Sequence, residues 1–133
     1  MNKQGVDLAY IIDDDEVILY LTRLLNKDVT FCKQMASFNS SENALNSLKE
    51  AIDNNLQLPS LILIDLNMPV MNGWTFLDEL SQLEAGKNIP VFIFSSSINQ
   101  EDINRAKTYT IVKDYIIKPL TITKISKILR TIA

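Results

Sequence analysis

A doubly wound α/β fold, with one parallel sheet and helices on both faces, is the architecture this sequence predicts. Three observations carry that expectation. A short apolar run, polar punctuation and an amphipathic segment follow one another five times along 133 residues, the rhythm of βα units joined by crossovers. Three of the runs are uninterrupted apolar stretches, as strands buried on both faces require. Pro59, Pro69, Pro90 and Pro119 all fall at run ends, where a missing N–H costs the ladder nothing.

The first run, Leu8 to Ile12, leads into a helix over about 16–27, with Ile18, Leu21, Leu24 and Leu25 on one face. Thr30 to Phe38 leads into a helix over about 40–53, with Leu45, Leu48 and Ile52 spaced to share a face. Asn39 followed by Glu42 resembles a capping box at its start. Leu61 to Ile64 leads into a helix near 73–84 carrying Phe76, Leu77, Leu80 and Leu83, which Gly86 closes. Val91 to Phe94 leads into a weaker helix near 99–109. Tyr115 to Ile117 leads into a last helix from about 121, with Ile122, Ile125, Leu129 and Ile132 inward. The second strand carries Lys33 and Gln34 mid-run and the fifth is very short, so both suit sheet edges. That favours strand order 2-1-3-4-5, the flavodoxin-like arrangement, whose ligand crevice lies outside the carboxyl ends of strands one and three.

Composition narrows the chemistry. Histidine is absent, one cysteine is present, and the three glycines are Gly5, Gly73 and Gly86. This excludes a Ser-His-Asp triad, a His–Cys pair, His- or Cys-based zinc sites and disulfides. It also excludes GxGxxG and GxxxxGK[ST] phosphate loops. Cys32 reads as a small core residue, and Trp74 as packing. Net charge is −3, without the basic excess that nucleic-acid binding wants. The charge is uneven: residues 1–102 hold 6 basic and 15 acidic groups, residues 103–133 hold 7 and 1. That basic segment reads either as a solvated helix face or as a partner-docking surface. No apolar run approaches a membrane span, and the N-terminus lacks a signal peptide's apolar core. A single cytoplasmic domain over 1–133 is the expectation, with no room for a second.

The residues that follow each run carry the function. Asp13-Asp14-Asp15-Glu16 follows the first strand, Asp65 ends the third, Ser95-Ser96-Ser97 follows the fourth, and Lys118-Pro119 follows the fifth. Parallel strands bring these ends to one crevice. Taken singly, each has a plain reading: turn or helix-cap acids, a capping serine run, a surface lysine. Together they make three carboxylates, a hydroxyl and an ammonium reached from four distant places in the chain. Clustered carboxylates repel and hold protons, and a hard divalent cation removes that penalty. Mg²⁺ suits one or two carboxylates plus a phosphate oxygen. The ammonium and hydroxyl complete a place for a phosphoryl group. With no histidine or reactive thiol available, the nucleophile is a carboxylate, and the product an aspartyl phosphate.

The chain resembles the receiver domain of bacterial two-component response regulators over nearly its whole length. The resemblance rests on Asp13-Asp14, on Asp65-Leu66-Asn67-Met68-Pro69-Val70-Met71-Asn72-Gly73, on Ser95 and on Lys118-Pro119. It implies that Asp65 is the phosphoacceptor and also part of the metal site, and that Asp14 binds Mg²⁺ directly, with Mn²⁺ or Ca²⁺ as substitutes. Asp13 would help through water and Asn67 through its backbone carbonyl. Ser95 would hydrogen-bond the phosphoryl oxygens, and Lys118 would pair with them and with Asp65. Tyr115 matches an aromatic switch position, Asp15 is the spare acid, and the Lys118–Pro119 bond is a candidate cis peptide. The implied donor is a phosphohistidine on a histidine kinase or histidine phosphotransfer protein. Output would pass to a protein partner by docking, with no direct nucleic acid and no membrane insertion. Residues 109–114 depart from the small turn usual before strand five, and Ser95 replaces a commoner threonine.

Three other readings compete. An aspartate-nucleophile (HAD-like) phosphatase needs a second aspartate two residues past the nucleophile, and Asn67 stands there. A degenerate receiver acting only as a binding module sits badly with a complete site. A flavin carrier of this fold wants an anion loop after strand one, where Asp13-Asp14-Asp15 repels phosphate.

Overall fold

The computed structural model describes residues 5–132. Five parallel strands, β1 (Val6–Ile12), β2 (Cys32–Phe38), β3 (Leu61–Ile64), β4 (Val91–Ser95) and β5 (Val112–Ile117), lie in the order β2-β1-β3-β4-β5. Between them run α1 (Glu16–Val29), α2 (Ser41–Asp53), α3 (Gly73–Ser81), α4 (Gln100–Ala106) and α5 (Ile122–Ile132), with a 3₁₀ turn at Gly86–Asn88. This is the flavodoxin-like order that the strand compositions predicted.

Alternation within the three central strands divides the core in two. Tyr10, Ile12, Ile62, Ile64 and Ile93 face α2 and α3, meeting Leu45, Leu48, Phe76, Leu77 and Leu80. Ala9, Ile11, Leu61, Leu63, Phe92 and Phe94 face α1 and α5, meeting Leu19, Ile125 and Ile128. Each fully buried Leu, Ile or Phe side chain contributes roughly 1.5–3 kcal/mol. At the β2 edge, Lys33 is exposed and pairs with Asp7 at 3.4 Å.

Helices α2 and α3 turn the predicted faces inward, burying Leu45 and Leu48, and Phe76, Leu77 and Leu80, whereas α1 is rotated from its predicted face. On α1 the buried residues are Leu19 and Thr22, whereas Leu21 and Leu24, expected inward, are 50% and 38% exposed. They border a cavity of about 320 Å³ between α1 and the start of α5, lined also by Phe94, Pro119 and Leu120. The amphipathic stripe is wide enough to allow either rotation, and Thr22 turns inward because its hydroxyl donates to the Ile18 carbonyl at 2.8 Å. On α5, Ile125 is buried and Leu129 and Ile132 pack on the core as expected, Ile128 joins them, and Ile122, expected inward, is 56% exposed. The α2 cap is Ser40 rather than Asn39: its hydroxyl accepts from Asn43 N–H at 3.0 Å, while Asn39 reaches Glu16. Helix α3 stops at Ser81, and Gly86 opens the 3₁₀ turn instead of closing the helix. A side chain at Gly86 would meet Leu80 Cδ1 at 2.7 Å.

The last two elements differ most. Helix α4 is seven residues, shorter than 99–109, and only Ala106 of it is buried. Strand β5 begins at Val112, three residues earlier than its apolar run, because a bulge against Val91/Phe92 lets Val112 and then Asp114 pair with β4. Lys113 and Asp114 are polar edge residues, so no apolar signal marked them. The turn before β5 is closed by Val112 N–H donating to the Tyr109 carbonyl at 3.1 Å.

Cys32 opens β2 and is 1% exposed. Burial pushes its thiol up to about 11 from 9.0. A raised folded-state pKa means that the native chain holds a proton the unfolded chain has lost. The stabilisation is therefore fully present below pH 9 and lost as pH rises through 11. Denaturant titrations should show a fall of about 2–3 kcal/mol across that window, and Cys32→Ala should lack it. Native protein should resist thiol labelling at pH 8 until denatured. Labelling at the rate of a free thiol would contradict this burial.

Candidate functional site

Four chain segments end at the same rim of the sheet. Hydrogen bonds between neighbouring strands fix the first two: Asp13 N–H donates to the Phe38 carbonyl at 3.0 Å, and Asp65 N–H to the Ile12 carbonyl at 3.0 Å. Lys118 N–H donates to the Ser95 carbonyl at 2.9 Å, locking the ends of β4 and β5 together.

Asp13, Asp14 and Asp65 each offer a carboxylate oxygen within 4.8 Å of the other two. Asp13 and Asp65 are buried and Asp14 is exposed. Lys118 reaches into this group, with Nζ 2.6 Å from Asp13 Oδ2 and 3.4 Å from Asp65 Oδ2. The closer partner is Asp13, not the expected Asp65. Burial dominates at Asp13 and holds its carboxyl above the usual range, against the downward pull of Lys118 and of the Asp15 N–H at 2.9 Å. At Lys118 burial acts to lower the pKa, but the joint attraction of Asp13 and Asp65 outweighs it and the net direction is upward. Asp15, the spare acid, is the N-cap of α1, its carboxylate accepting from Val17 N–H at 2.9 Å.

The loop from β3 to α3 presses against Asp65. Gly73 N–H donates to the Leu66 carbonyl, and a side chain at Gly73 would meet the Asp65 carbonyl at 2.7 Å and Leu66 Cα at 2.9 Å. Glycine is required there by closeness, since its φ is ordinary. Val70 is the strained residue, with φ 67° at the centre of a turn closed by Met71 N–H to the Pro69 carbonyl at 2.8 Å. A β-branched residue in the left-handed region costs roughly 1–2 kcal/mol. Asn67 directs its N–H towards Asp65 Oδ1 at 3.4 Å.

Ser95 is fully buried, and its hydroxyl accepts from Ser97 N–H at 3.1 Å. Tyr115 is half-buried and its hydroxyl donates to the Ser97 carbonyl at 3.0 Å. Both expected switch residues therefore meet on Ser97, which the sequence offered only as part of a serine run. The Lys118–Pro119 peptide is cis. Of the basic residues at the chain's end, several are already engaged. Lys124 Nζ donates to the Ile117 and Pro119 carbonyls at 2.6 and 3.0 Å, Lys127 pairs with Asp114 at 3.1 Å, and Arg105 lies 4.3 Å over the Trp74 ring. Trp74 in turn stacks on Tyr109 at 5.9 Å.

A cluster of oxygen donors with one ammonium suits a hard cation and an anion together. The model of the response regulator receiver domain family matches residues 9–130. This chain belongs to that family. A two-component response regulator from Cytophaga hutchinsonii is similar in structure, with a TM-score of 0.88 and 30% identity, covering 96% of this chain and 97% of that one. The probable methanogenesis regulatory protein FilR2 of Methanothrix harundinacea is 25% identical over 86% of this chain and 73% of its own. Response regulator Rcp1 of Synechocystis is 42% identical over 45 residues, 34% of this chain and 31% of its own length. The Mn²⁺-bound form of Rcp1 shares the fold at a TM-score of 0.75 and 24% identity, covering 95% and 91% of the two chains.

Receiver domains are phosphoacceptors of two-component signalling, loaded by histidine kinases or phosphotransfer proteins, and they bind a divalent metal. The phosphatase, flavin-carrier and binding-only readings give way to that role. Among the described residues, no helix is long and apolar enough to cross a membrane.

The ion pair sets a stability test. Removing Lys118 leaves two buried carboxylates facing each other, so Lys118→Met should destabilise the metal-free protein by about 3 kcal/mol. Adding Asp13→Asn to that variant should restore more than half of the loss. Additive losses in chemical denaturation would show that the two residues are not coupled.

Proposed function

We propose that Asp65 accepts a phosphoryl group from a phosphohistidine, with Lys118 balancing its charge and Asp13 and Asp14 as the further carboxylates that would hold a cation beside it. One observation carries this reading: Asp65 shares a pocket with two further carboxylates, and Lys118 Nζ stands 3.4 Å from its Oδ2. In the transfer an Oδ–P bond to Asp65 forms as the donor's N–P bond breaks, and the released imidazole takes up a proton. The chain's own contribution is placement and charge. Lys118, held by Asp13, stands where its ammonium can meet both the carboxylate and an incoming phosphoryl oxygen.

The donor set fits Mg²⁺ by its chemistry, since hard carboxylate oxygens converge there. Asp14, exposed, would hold the ion directly, Asp13 through water, and Asn67 by its backbone carbonyl. Bound there, the ion would neutralise charge on the phosphoryl oxygens. Mn²⁺ or Ca²⁺ would serve in its place. Asn67 offers no carboxylic acid to assist hydrolysis, which supports an acceptor that turns over slowly rather than an enzyme. Ser95 would turn its hydroxyl towards the phosphoryl oxygens, and Tyr115 would respond through the loop they share. The resulting change would be read by a protein partner in the cytoplasm, with no nucleic acid or membrane involved.

Intact-mass measurement after incubation with a small phosphodonor and Mg²⁺ tests the reading. A single acid-stable, base-labile adduct is expected on the native chain and none on Asp65→Asn, which should remain folded. Asp14→Ala should weaken Mg²⁺ binding at least tenfold, and excess chelator should abolish labelling. Undiminished labelling of Asp65→Asn, or equal labelling in chelator, would refute the assignment.

A further inference from the structure

Helix α4 is short and lightly anchored. Two turns are too few to be stable alone, and only Ala106 is buried. What holds it is side-chain ties at its two ends. At the C-terminal end, Arg105 lies over Trp74 at 4.3 Å, and just beyond the helix Tyr109 stacks on Trp74 while donating its hydroxyl to Asp78 Oδ1 at 2.8 Å. Those partners belong to α3, which is packed into the core through Phe76, Leu77 and Leu80. This end is fixed to a rigid support.

The N-terminal end is held differently. Ser97 Oγ donates to Asp102 Oδ2 in the first turn of α4 at 2.9 Å and accepts from Asn99 N–H at 3.2 Å. The same residue gives its N–H to Ser95 Oγ at 3.1 Å and its carbonyl to Tyr115 at 3.0 Å. Every polar group of Ser97 is thus engaged, and its partners are the buried hydroxyl, the aromatic ring and the helix. Accepting from Ser97 leaves the Ser95 hydroxyl proton free for a phosphoryl oxygen. When Ser95 turns, Ser97 N–H is drawn with it or released from it, and either way Ser97 shifts.

We propose that Ser97 is the positioning residue through which Ser95 moves helix α4, its hydroxyl–Asp102 bond being the latch and the Trp74 stack the pivot. The proposal rests on the phosphoacceptor reading of Asp65 and adds to it a route. The backbone of Ser97 serves Tyr115, and its side chain serves α4, so the two responses are separable. Substituting the hydroxyl cuts one and spares the other.

Amide and tyrosine-ring NMR with Mg²⁺ and beryllofluoride, a phosphoryl mimic, tests this on the full chain. In the native protein both Tyr115 and residues 100–106 should shift on beryllofluoride addition. In Ser97→Ala the Tyr115 response should persist while shifts across 100–106 fall at least twofold. Asp102→Ala should reproduce that loss, and Ser97→Thr, which keeps the hydroxyl, should restore the response. A purely structural role would not be rescued in this selective way. Native-sized shifts across 100–106 in both Ser97→Ala and Asp102→Ala would overturn the latch while leaving the phosphoacceptor reading intact. A native protein that shows no beryllofluoride response at all would overturn both.

Discussion

Everything at the carboxyl end of the sheet depends on one ammonium among three carboxylates. At an effective dielectric of about 20, the two attractions of Lys118 come to roughly 5–6 kcal/mol each, and each carboxylate pair within 4.8 Å repels by about 3 kcal/mol or more. Attraction and repulsion are therefore of similar size, and the pocket is close to balance with nothing bound. A phosphoryl group brings further negative charge and tips that balance. On the proposed reading such a site would take a phosphate together with a cation, and metal dependence would follow from the charge count rather than from a separate design. Asp13 bears the strain of this arrangement, because burial opposes its charge while Lys118 and the Asp15 N–H sustain it.

The sheet supplies the geometry that the electrostatics need. Ile12 and Ile64 are paired in register and fully buried, so the residues following them, Asp13 and Asp65, emerge side by side. Lys118 is placed by the β4–β5 pairing, two strands beyond β3, and crosses the end of β4 to reach them. Phe94, whose ring lies 5.6 Å from Lys118 Nζ, walls the path of its stem. Core packing and site geometry are one structure here: the residues that exclude water from the sheet also aim the charges.

The strands, their order and the convergence of Asp13, Asp65, Ser95 and Lys118 were legible because burial on both faces leaves unbroken apolar runs, and topology does the rest. What was illegible depended on small energy differences. The phase of α1 turned on which edge of a broad apolar stripe met the sheet, and Thr22 entering the core could not be anticipated from polarity. The cap of α2 moved by one residue because Ser40 and Asn39 are nearly equal as caps. The early start of β5 hid behind Lys113 and Asp114, polar residues on an edge strand. The roles of Ser97, Asp102 and Trp74 arise from contacts across loops, for which spacing along the chain gives no signal.

The molecule is consequently uneven in how firmly it is held. The acidic rim is pinned by backbone bonds between adjacent strands, whereas the ties from α4 and the β4–α4 loop to the rest of the fold run through side chains. A coupling of ~1–3 kcal/mol, the usual size of a switch, would do little to a strand buried on both faces. It is comparable to the one or two hydrogen bonds that hold Ser97 to Ser95 and Asp102. On the proposed route the weakly tied element is the one that moves, and it follows the loop that leaves β4 at the buried Ser95. Rigidity at the chemistry and looseness next to it are both set by how many faces of each element the chain manages to bury.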